Sequence, residues 1–388
     1  MTVRTDILDY LRDQQDAMIA LVQDLVLIES PSTDPASQDA ILARLQSEFE
    51  QVDYRVTRLP GRNCGGHLYA APPFRGKRQP AQLMIGHCDT VWPTGTLQTM
   101  PLECSEGTLR GPGAYDMKAG LAQMIYALKA IRSLGLHAEV APLCFVNSDE
   151  EIGSHGSTRY LRALAQRVER CLVLEPSLGR SGKIKTARKG VGRFTVTVQG
   201  KAAHAGLDPG AGASAILELS HVIQKLFEMN DAEHGTSVNV GMIDGGIRPN
   251  VVAPESRAVI DVRVQTNSDA ERIEAAIHAL EAKTPGVSLR IDGAIGRPPM
   301  EPTEANQRLW KIAQTLGNEL GLELEQGTAG GGSDGNTTSL YSATLDGLGA
   351  VGDGAHADHE YIDIDSLSER SALLTLLLLA PSLDSPLV

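Results

Sequence analysis

The chain has 388 residues and carries 48 acidic against 35 basic side chains, which gives a formal net charge of −13. Its length accommodates two domains, or one large domain with an insertion. The acidic balance argues against nucleic acid and anionic membranes as partners, because both attract positive surfaces, and an aromatic content of 4% leaves few stacking platforms for bases.

The first half of the chain alternates helical and strand-like patterns. In chain order we predict helices at 6–28 and 37–52, strands at 54–59, 67–70 and 82–86, a glycine-rich turn at 110–120 that begins a helix to 132, a strand at 139–147, a helix at 156–168 and a strand at 171–175. Nearly all-apolar strands that alternate with helices indicate an α/β fold with a mostly parallel central sheet.

The pattern changes near residue 188, where strands begin to alternate apolar and polar residues. We predict a strand at 192–200, a helix at 212–229, strands at 237–243 and 258–265 joined by a hairpin at 244–246, a helix at 268–283 and a strand at 288–292. The order β-α-β-β-α-β is that of a ferredoxin-like module. We therefore expect one α/β domain, 1–187 and 296–388, interrupted by an α+β insertion at 188–295.

The cysteines and the N-terminus predict a cytoplasmic, soluble protein. The five cysteines are odd in number and form no C-x-x-C pair, which disfavours a disulfide framework. The N-terminal segment has acidic residues throughout and no uninterrupted apolar stretch, so we predict no signal peptide. The apolar run at 372–380 is too short to span a bilayer and is predicted to be a core helix.

Side chains of the metal-ligand type lie at or near the ends of the predicted strands. They are His87 with Asp89, Asp116, Glu150 with Glu151, and Glu175. In open α/β sheets the ligand site lies at the carboxyl ends of the strands, so we expect these groups to converge. Carboxylate and imidazole ligands suit zinc, cobalt or manganese. A solvated acidic turn is the alternative interpretation of the run 149–151.

The spacing within these motifs suggests roles for individual residues. Alternation along a strand places His87 and Asp89 on one face, so the carboxylate can accept the ring N–H of a metal-bound histidine. Cys88 then points away and is predicted to be a core thiol. Of the adjacent Glu150 and Glu151, one is expected to bind metal and the other to take a proton from water.

In their motifs and order these residues resemble the M20 metallopeptidases, and most closely the glutamate carboxypeptidase group within them. The resemblance covers essentially the whole chain. Its segments are Gly86–Val91, Gly111–Gly120, Asp149–Ser154, Glu175–Ser177, Gly200–Gly206, Asn250–Ala253, Gly330–Asn336 and Gly352–His356.

The resemblance implies two zinc ions per subunit, with cobalt or manganese as possible substitutes. One ion would be held by His87, Asp116 and Glu175, and the other by Asp116, Glu151 and His356. It also implies that Glu150 is the general base, that Asp89 supports His87, and that the Asp116–Met117 peptide is cis. His359 is the alternative to His356, but its position varies among family members.

The resemblance assigns further roles to residues of the insertion and of a later glycine loop. It makes His204 a stabiliser of the oxyanion, in its own active site or a partner subunit's, through a dimer of insertion (lid) domains. Arg263 and Asn250 resemble binders of a substrate's carboxylate and carbonyl, and a guanidinium suits bidentate carboxylate recognition. Gly331 would allow close approach of backbone to substrate. A surface histidine, a strand-edge arginine, a turn asparagine and a flexible loop are the corresponding structural interpretations.

The activity implied is metal-dependent hydrolysis of the amide bond to a C-terminal amino acid, in an N-acyl or peptidyl substrate, by a hydroxide that bridges the metals. An N-acyl-amino-acid deacylase or dipeptidase of the same superfamily is the alternative. A non-catalytic binding protein of this fold would lack a ligand or the base, and none is missing. The expected partners are a small substrate with a free carboxylate and a second copy of the chain, without nucleic acid or membrane.

Overall fold

The computed structural model describes residues 3–76 and 78–383, which divide into two compact units. The first comprises the described parts of Met1–Ala187, Pro302–Ala329 and Ser333–Val388, and the second comprises Arg188–Glu301 with Gly330–Gly332. The predicted boundary at residue 295 falls two residues before the end of the last strand of the second unit, Ser288–Arg297.

The described residues form ten α-helices and sixteen strands. The helices are α1 Val3–Asp13, α2 Gln15–Leu27, α3 Gln38–Gln51, α4 Ala119–Ser133, α5 Thr158–Ala165, α6 Ala215–Glu228, α7 Asn267–His278, α8 Glu304–Glu319, α9 Asp334–Thr338 and α10 Asp365–Leu379. The strands are β1 Arg55–Leu59, β2 His67–Ala71, β3 Ala81–His87, β4 Glu103–Ser105, β5 Thr108–Arg110, β6 Ala141–Asn147, β7 Arg170–Val173, β8 Ile184–Arg188, β9 Gly190–Gln199, β10 Ser237–Gly245, β11 Glu255–Val264, β12 Ser288–Arg297, β13 Gln326–Ala329, β14 Ala343–Leu345, β15 Gly352–Asp353 and β16 Tyr361–Asp363.

The first unit is built on a six-stranded sheet in the order β1-β2-β6-β3-β7-β14. The four strands β6, β3, β7 and β14 are parallel to one another, while β1 and β2 complete one edge in antiparallel pairing. Every residue of β3 and β6 is buried, as expected for parallel strands covered on both faces. The predicted α/β fold with a mostly parallel central sheet is confirmed.

The main apolar core of this unit lies between the sheet and several helices. Residues of α1, α2, α4 and α10 contribute to it, among them Leu25, Ile125 and Leu374, which are fully buried. A second cluster around Phe145 and Leu161 lies against α5. The predicted core helix at 372–380 forms the second half of α10. Within the described residues, no helix combines the length and the apolar character that crossing a membrane requires.

The second unit has the order β9-α6-β10-β11-α7-β12, which is the predicted β-α-β-β-α-β. Its four-stranded sheet is antiparallel throughout, in the order β10-β11-β9-β12. Buried residues of the strands and of both helices form a separate core, which includes Phe194, Leu219 and Ile260.

The hairpin predicted at 244–246 is wrong in its position. Asp244 and Gly245 are still paired with Arg257 and Ser256, so β10 continues to Gly245 and the connection runs over 246–254. A Cβ atom on Gly245 would lie 2.6 Å from the Cβ of Ser256. The glycine thus permits close approach of two strands, which the sequence pattern alone does not distinguish from a turn.

Candidate metal centre

Three neighbouring parallel strands deliver the acidic and imidazole side chains to one edge of the central sheet. His87 is the last residue of β3, Asp149–Glu151 follow the end of β6 at Asn147, and Glu175 lies two residues beyond β7. Because β6, β3 and β7 are adjacent and parallel, these three segments leave the sheet side by side.

The first group of potential ligands is His87, Asp116 and Glu175, whose donor atoms all lie within 4.8 Å of one another. The Nε2 atom of His87 lies 3.1 Å from Oδ1 of Asp116 and 3.5 Å from Oε1 of Glu175. The Nδ1 atom of His87 lies 2.9 Å from the main-chain oxygen of Asp89. A carbonyl oxygen can only accept a hydrogen bond, so Nδ1 carries a proton and Nε2 is the ring atom that faces the group.

The second group is Asp116, Glu151 and His356. The Nε2 atom of His356 lies 3.1 Å from Oε2 of Glu151 and 3.4 Å from Oδ2 of Asp116. Asp116 therefore presents one carboxylate oxygen to each histidine. His356 has a left-handed backbone, with φ of 62°, which is uncommon for a residue with a side chain and is frequent at functional sites.

The turn that carries Asp116 is held by a residue that the sequence analysis missed. The carboxylate of Glu360 accepts hydrogen bonds from the main-chain N–H groups of Gly113, Tyr115 and Asp116, at 3.0, 2.9 and 3.0 Å. It also accepts one from the indole of Trp92 at 2.9 Å. The Asp116–Met117 peptide is cis, as the family resemblance implied. Glu360 is separated from this turn by more than 240 residues, so only its place next to the His356–His359 motif could have drawn attention to it.

Asp89 connects His87 to the acidic segment after β6. Its two carboxylate oxygens accept the main-chain N–H groups of Glu150 and Glu151, both at 3.2 Å, and the hydroxyl of Ser32 at 2.6 Å. Its Oδ1 atom lies 3.5 Å from Nδ1 of His87, farther than its own main-chain oxygen. The predicted support of His87 by Asp89 thus comes mainly from the backbone, while the carboxylate orients the segment 150–151.

Several carboxylates lie close together in this buried site, and their proximity shifts the pKa values of Glu151, His356 and His87. Burial raises the pKa of Glu151 to about 7, and the negative charges of Asp116 and Glu150 add to the effect. Hydrogen bonds to Asp116 and Glu151 raise the pKa of His356 to about 10. Burial lowers the pKa of His87, but its contacts with Asp116 and Asp89 outweigh this and raise it well above the ordinary value. Bound cations would stabilise these closely spaced carboxylates in their ionised form.

The donor set fits a pair of divalent cations. Imidazole nitrogens and carboxylate oxygens converge in two groups, and Asp116 belongs to both. Glu150 is buried beside them and belongs to neither group. His359 also lies outside both groups, since it is exposed and its Nδ1 faces Asp358 at 3.5 Å. Cys88 is fully buried in the core and contributes no ligand to the two groups.

The remaining predicted site residues lie in the second unit. The Nδ1 atom of the exposed His204 accepts the main-chain N–H groups of Gly206 and Leu207 at 3.1 and 3.2 Å. Arg263 forms a bidentate pair with Asp261 at 2.8 and 3.0 Å. The main-chain oxygen of the exposed Asn250 accepts the N–H of Ala205. The main-chain oxygen of Gly331 accepts a hydrogen bond from Arg188.

Residues 83–380 match the family described as peptidase family M20/M25/M40. The chain belongs to this family and is a metal-dependent amide hydrolase. The match spans all the donor residues described above.

Individual relatives agree with this assignment. The chain is 28% identical to carboxypeptidase G2 of Pseudomonas sp. (strain RS-16) over 369 residues, which cover 92% of this chain and 88% of the relative. It is 31% identical to succinyl-diaminopimelate desuccinylase of Ectopseudomonas mendocina (strain ymp) over 371 residues, or 88% and 93% of the two chains. Its fold matches the crystal structure of aminopeptidase PepT from Bacillus cereus ATCC 10987 with a TM-score of 0.81 at 22% identity, over 94% and 98% of the two chains.

Proposed function

We propose that this protein cleaves the amide bond that joins an acyl or peptidyl group to a C-terminal amino acid, with two zinc ions per subunit. The observation that carries the proposal is the placement of Asp116 between two donor groups, with the buried Glu150 beside them. A carboxylate that presents one oxygen to each of two histidines is suited to bridging two cations.

The residues proposed to hold the cations are those of the two donor groups. His87 and Glu175 would share Asp116 with Glu151 and His356. Mixed nitrogen and oxygen ligands suit zinc and also accept cobalt or manganese. When bound, the two cations would lower the pKa of water and polarise the carbonyl of the scissile amide.

Glu150 is proposed as the general base and acid. It would take the proton of the attacking water and return it to the nitrogen of the leaving amine. Two features support this role: its side chain is outside both donor groups, and its main-chain N–H is bound by Asp89, which also binds that of Glu151. The two adjacent glutamates are thereby held in different positions.

His204 is proposed to stabilise the oxyanion that forms when water adds to the carbonyl, in its own active site or a partner's. Its Nδ1 atom accepts two main-chain hydrogen bonds, so the neutral ring carries its proton on Nε2. The ring is therefore prepared as a hydrogen-bond donor, which is the form that an oxyanion requires.

Arg263 is proposed to bind the free carboxylate of the substrate, assisted by Asn250 and by backbone near Gly331. Arg263 already binds a carboxylate in bidentate fashion, that of Asp261 on the same strand. A substrate carboxylate would replace Asp261 as its partner in this proposal. The similarity to a protein named carboxypeptidase G2 supports a C-terminal amino acid as the leaving group.

Deacylation of an N-acyl amino acid is the second candidate, favoured by the 31% identity to a protein named succinyl-diaminopimelate desuccinylase. A panel of N-acyl-glutamate, N-acyl-aspartate, neutral N-acyl amino acids and dipeptides separates the two candidates by their kcat/KM values. We expect hydrolysis that requires added zinc, cobalt or manganese and that prefers one of these substrate classes. Failure to hydrolyse any of them with any of the three metals would overturn the proposed function.

We also propose that the chain forms a homodimer through its second unit. The strand β10 is an edge of that unit's sheet, and it exposes Met242 and Ile243. Nearby, Ile216 and Leu217 are about half exposed on α6. Apolar side chains along an open strand edge are typical of surfaces that pair with a second chain.

A cytoplasmic location is also proposed, since all five cysteines are free.

A further inference from the structure

A third group of potential metal ligands lies apart from the two donor groups described above. It consists of Cys64 in the loop between β1 and β2, His67 at the start of β2, and Asp149 after β6. Their donor atoms, a thiol sulfur, a ring nitrogen and a carboxylate oxygen, all lie within 4.8 Å of one another. No residue of this group belongs to either of the other two.

His67 is the least satisfied member of this group. Its side chain is fully buried, and neither ring nitrogen has a hydrogen-bond partner among the residues that the structure describes. The ring packs near Phe145 and Tyr160, with centroids 5.8 and 5.6 Å away. Apolar packing accounts for the ring carbons, but a buried ring nitrogen without a hydrogen-bond partner is energetically unfavourable.

Asp149 also has a buried polar atom without a hydrogen-bond partner among the described residues, which is one of its two carboxylate oxygens. Its Oδ2 atom accepts the main-chain N–H groups of Gly156 and Ser157, at 2.6 and 3.2 Å. Its Oδ1 atom is buried and has no hydrogen-bond partner in the described part of the chain. The two main-chain bonds fix the carboxylate, and one of its oxygens lies within 4.8 Å of a ring nitrogen of His67.

The separations of the three donor atoms, all within 4.8 Å, are compatible with a shared cation. Neither His67 nor Asp149 Oδ1 is hydrogen-bonded, although the donor atoms of the group are close together. A tetrahedral ion with ligand distances of about 2.0–2.3 Å separates its ligand atoms by roughly 3.3–3.8 Å, which lies within the 4.8 Å limit of this group. Burial lowers the pKa of His67, although the charge of Asp149 opposes the effect, and a neutral imidazole is the form that binds metal.

We propose that Cys64, His67 and Asp149 bind one zinc-type divalent cation, separate from the catalytic pair. The thiolate selects zinc or cobalt over magnesium and calcium, and binding would release the thiol proton. Cys64 is partly exposed, which gives the ion access and leaves a fourth position for water. Asp149 immediately precedes Glu150 and Glu151, so the ion would stabilise the segment that carries both of them.

Metal content tests the proposal without reference to hydrolysis. The full-length protein is dialysed against excess zinc, passed through a desalting column and analysed for zinc per chain. We expect the wild type to hold one equivalent more than Cys64→Ser, and Cys104→Ser to match the wild type. Cys104 is the control because it is exposed and belongs to none of the three groups. Equal zinc content in the wild type and Cys64→Ser would overturn the proposal.

Cobalt provides a second readout that is specific for sulfur. Titration of the metal-free full-length protein with Co²⁺ should produce thiolate-to-cobalt charge-transfer absorption in the wild type and in Cys104→Ser. The band should be lost in Cys64→Ser, because neither catalytic donor group contains a thiol. Absence of the band from the wild type at saturating cobalt, or its persistence in Cys64→Ser, would contradict the site. Neither result depends on whether the protein hydrolyses any amide.

Discussion

At the scale of single residues, Glu150 and Glu151 are neighbours in sequence with different surroundings. Glu151 faces His356 across 3.1 Å and belongs to a donor group, while Glu150 does not. Asp89 separates them by binding the main-chain N–H of each through a different carboxylate oxygen. The proposed division of roles between ligand and base therefore depends on a third carboxylate, which accepts a hydrogen bond from Ser32.

Replacement of Glu150 tests its role as the base. Glu150→Gln keeps the size of the side chain and removes its ability to accept a proton, so we expect kcat to fall by about 10²–10⁴-fold with unchanged metal content. Steady-state kinetics and metal analysis of the purified variant provide the measurement. Glu103→Gln, an exposed glutamate on β4, is the matched control. A variant that holds its metals and turns over at the wild-type rate would show that another group is the base.

His204 is tested in the same way in the second unit. His204→Ala removes the proposed donor to the oxyanion, so kcat should fall by about 10²–10³-fold while KM changes little. His234→Ala is the control, because His234 is an exposed histidine of the same unit that pairs with the neighbouring Asp231. Equal kcat values for the two variants would make His204 a surface histidine without a catalytic role.

At the scale of elements, the turn between β5 and α4 depends on a single distant carboxylate. Glu360 accepts hydrogen bonds from three main-chain N–H groups of this turn and from the indole of Trp92, and it is itself fully buried. Asp116 lies in the turn, so the position of this carboxylate, which is proposed to bridge the cations, depends on Glu360, the residue that precedes β16. Supporting residues of this kind normally tune metal affinity.

Glu360→Gln is predicted to weaken metal binding and to destabilise the fold. An amide group presents a donor to main-chain N–H groups, so at least one of them loses its acceptor at a cost of about 1–3 kcal/mol. Loss of an outer hydrogen-bond partner of this kind should reduce metal affinity by about 10–100-fold. Competition with a chelator and denaturant unfolding measure the two effects. The control is Asp358→Asn at an almost fully exposed neighbour, which should leave metal affinity and stability unchanged. A Glu360→Gln protein with wild-type metal affinity would exclude a positioning role for Glu360.

At the scale of the whole molecule, the open edge of the second unit predicts the oligomeric state. Ile243 is 68% exposed on the edge strand β10. Ile243→Asp places a charge where apolar contact with a second copy is proposed, so the molecular mass by light scattering should fall from dimer to monomer. Leu340→Asp, at an exposed apolar residue of the first unit, should remain dimeric. A wild type that is monomeric at all working concentrations would refute the proposed dimer.

The sequence by itself determined the order and type of most elements, because periodicity and turn residues act locally. Apolar runs identified β3 and β6, and period-two alternation identified β9. The motifs placed His87, Glu151 and the other candidate ligands at or near strand ends without any structure. Local signals failed at Gly245, where a glycine that resembles a turn residue serves close packing of two strands.

Only the tertiary structure decided which of these residues meet. The order β6-β3-β7 is not sequential, so it alone brings the segments after three strands into one place. Three features join residues that are far apart in the chain: Asp116 faces both His87 and His356, Glu360 supports the turn of Asp116, and Asp149 lies beside Cys64 and His67. Such contacts leave no periodic trace in the sequence, because they depend on how elements pack and not on how each one forms.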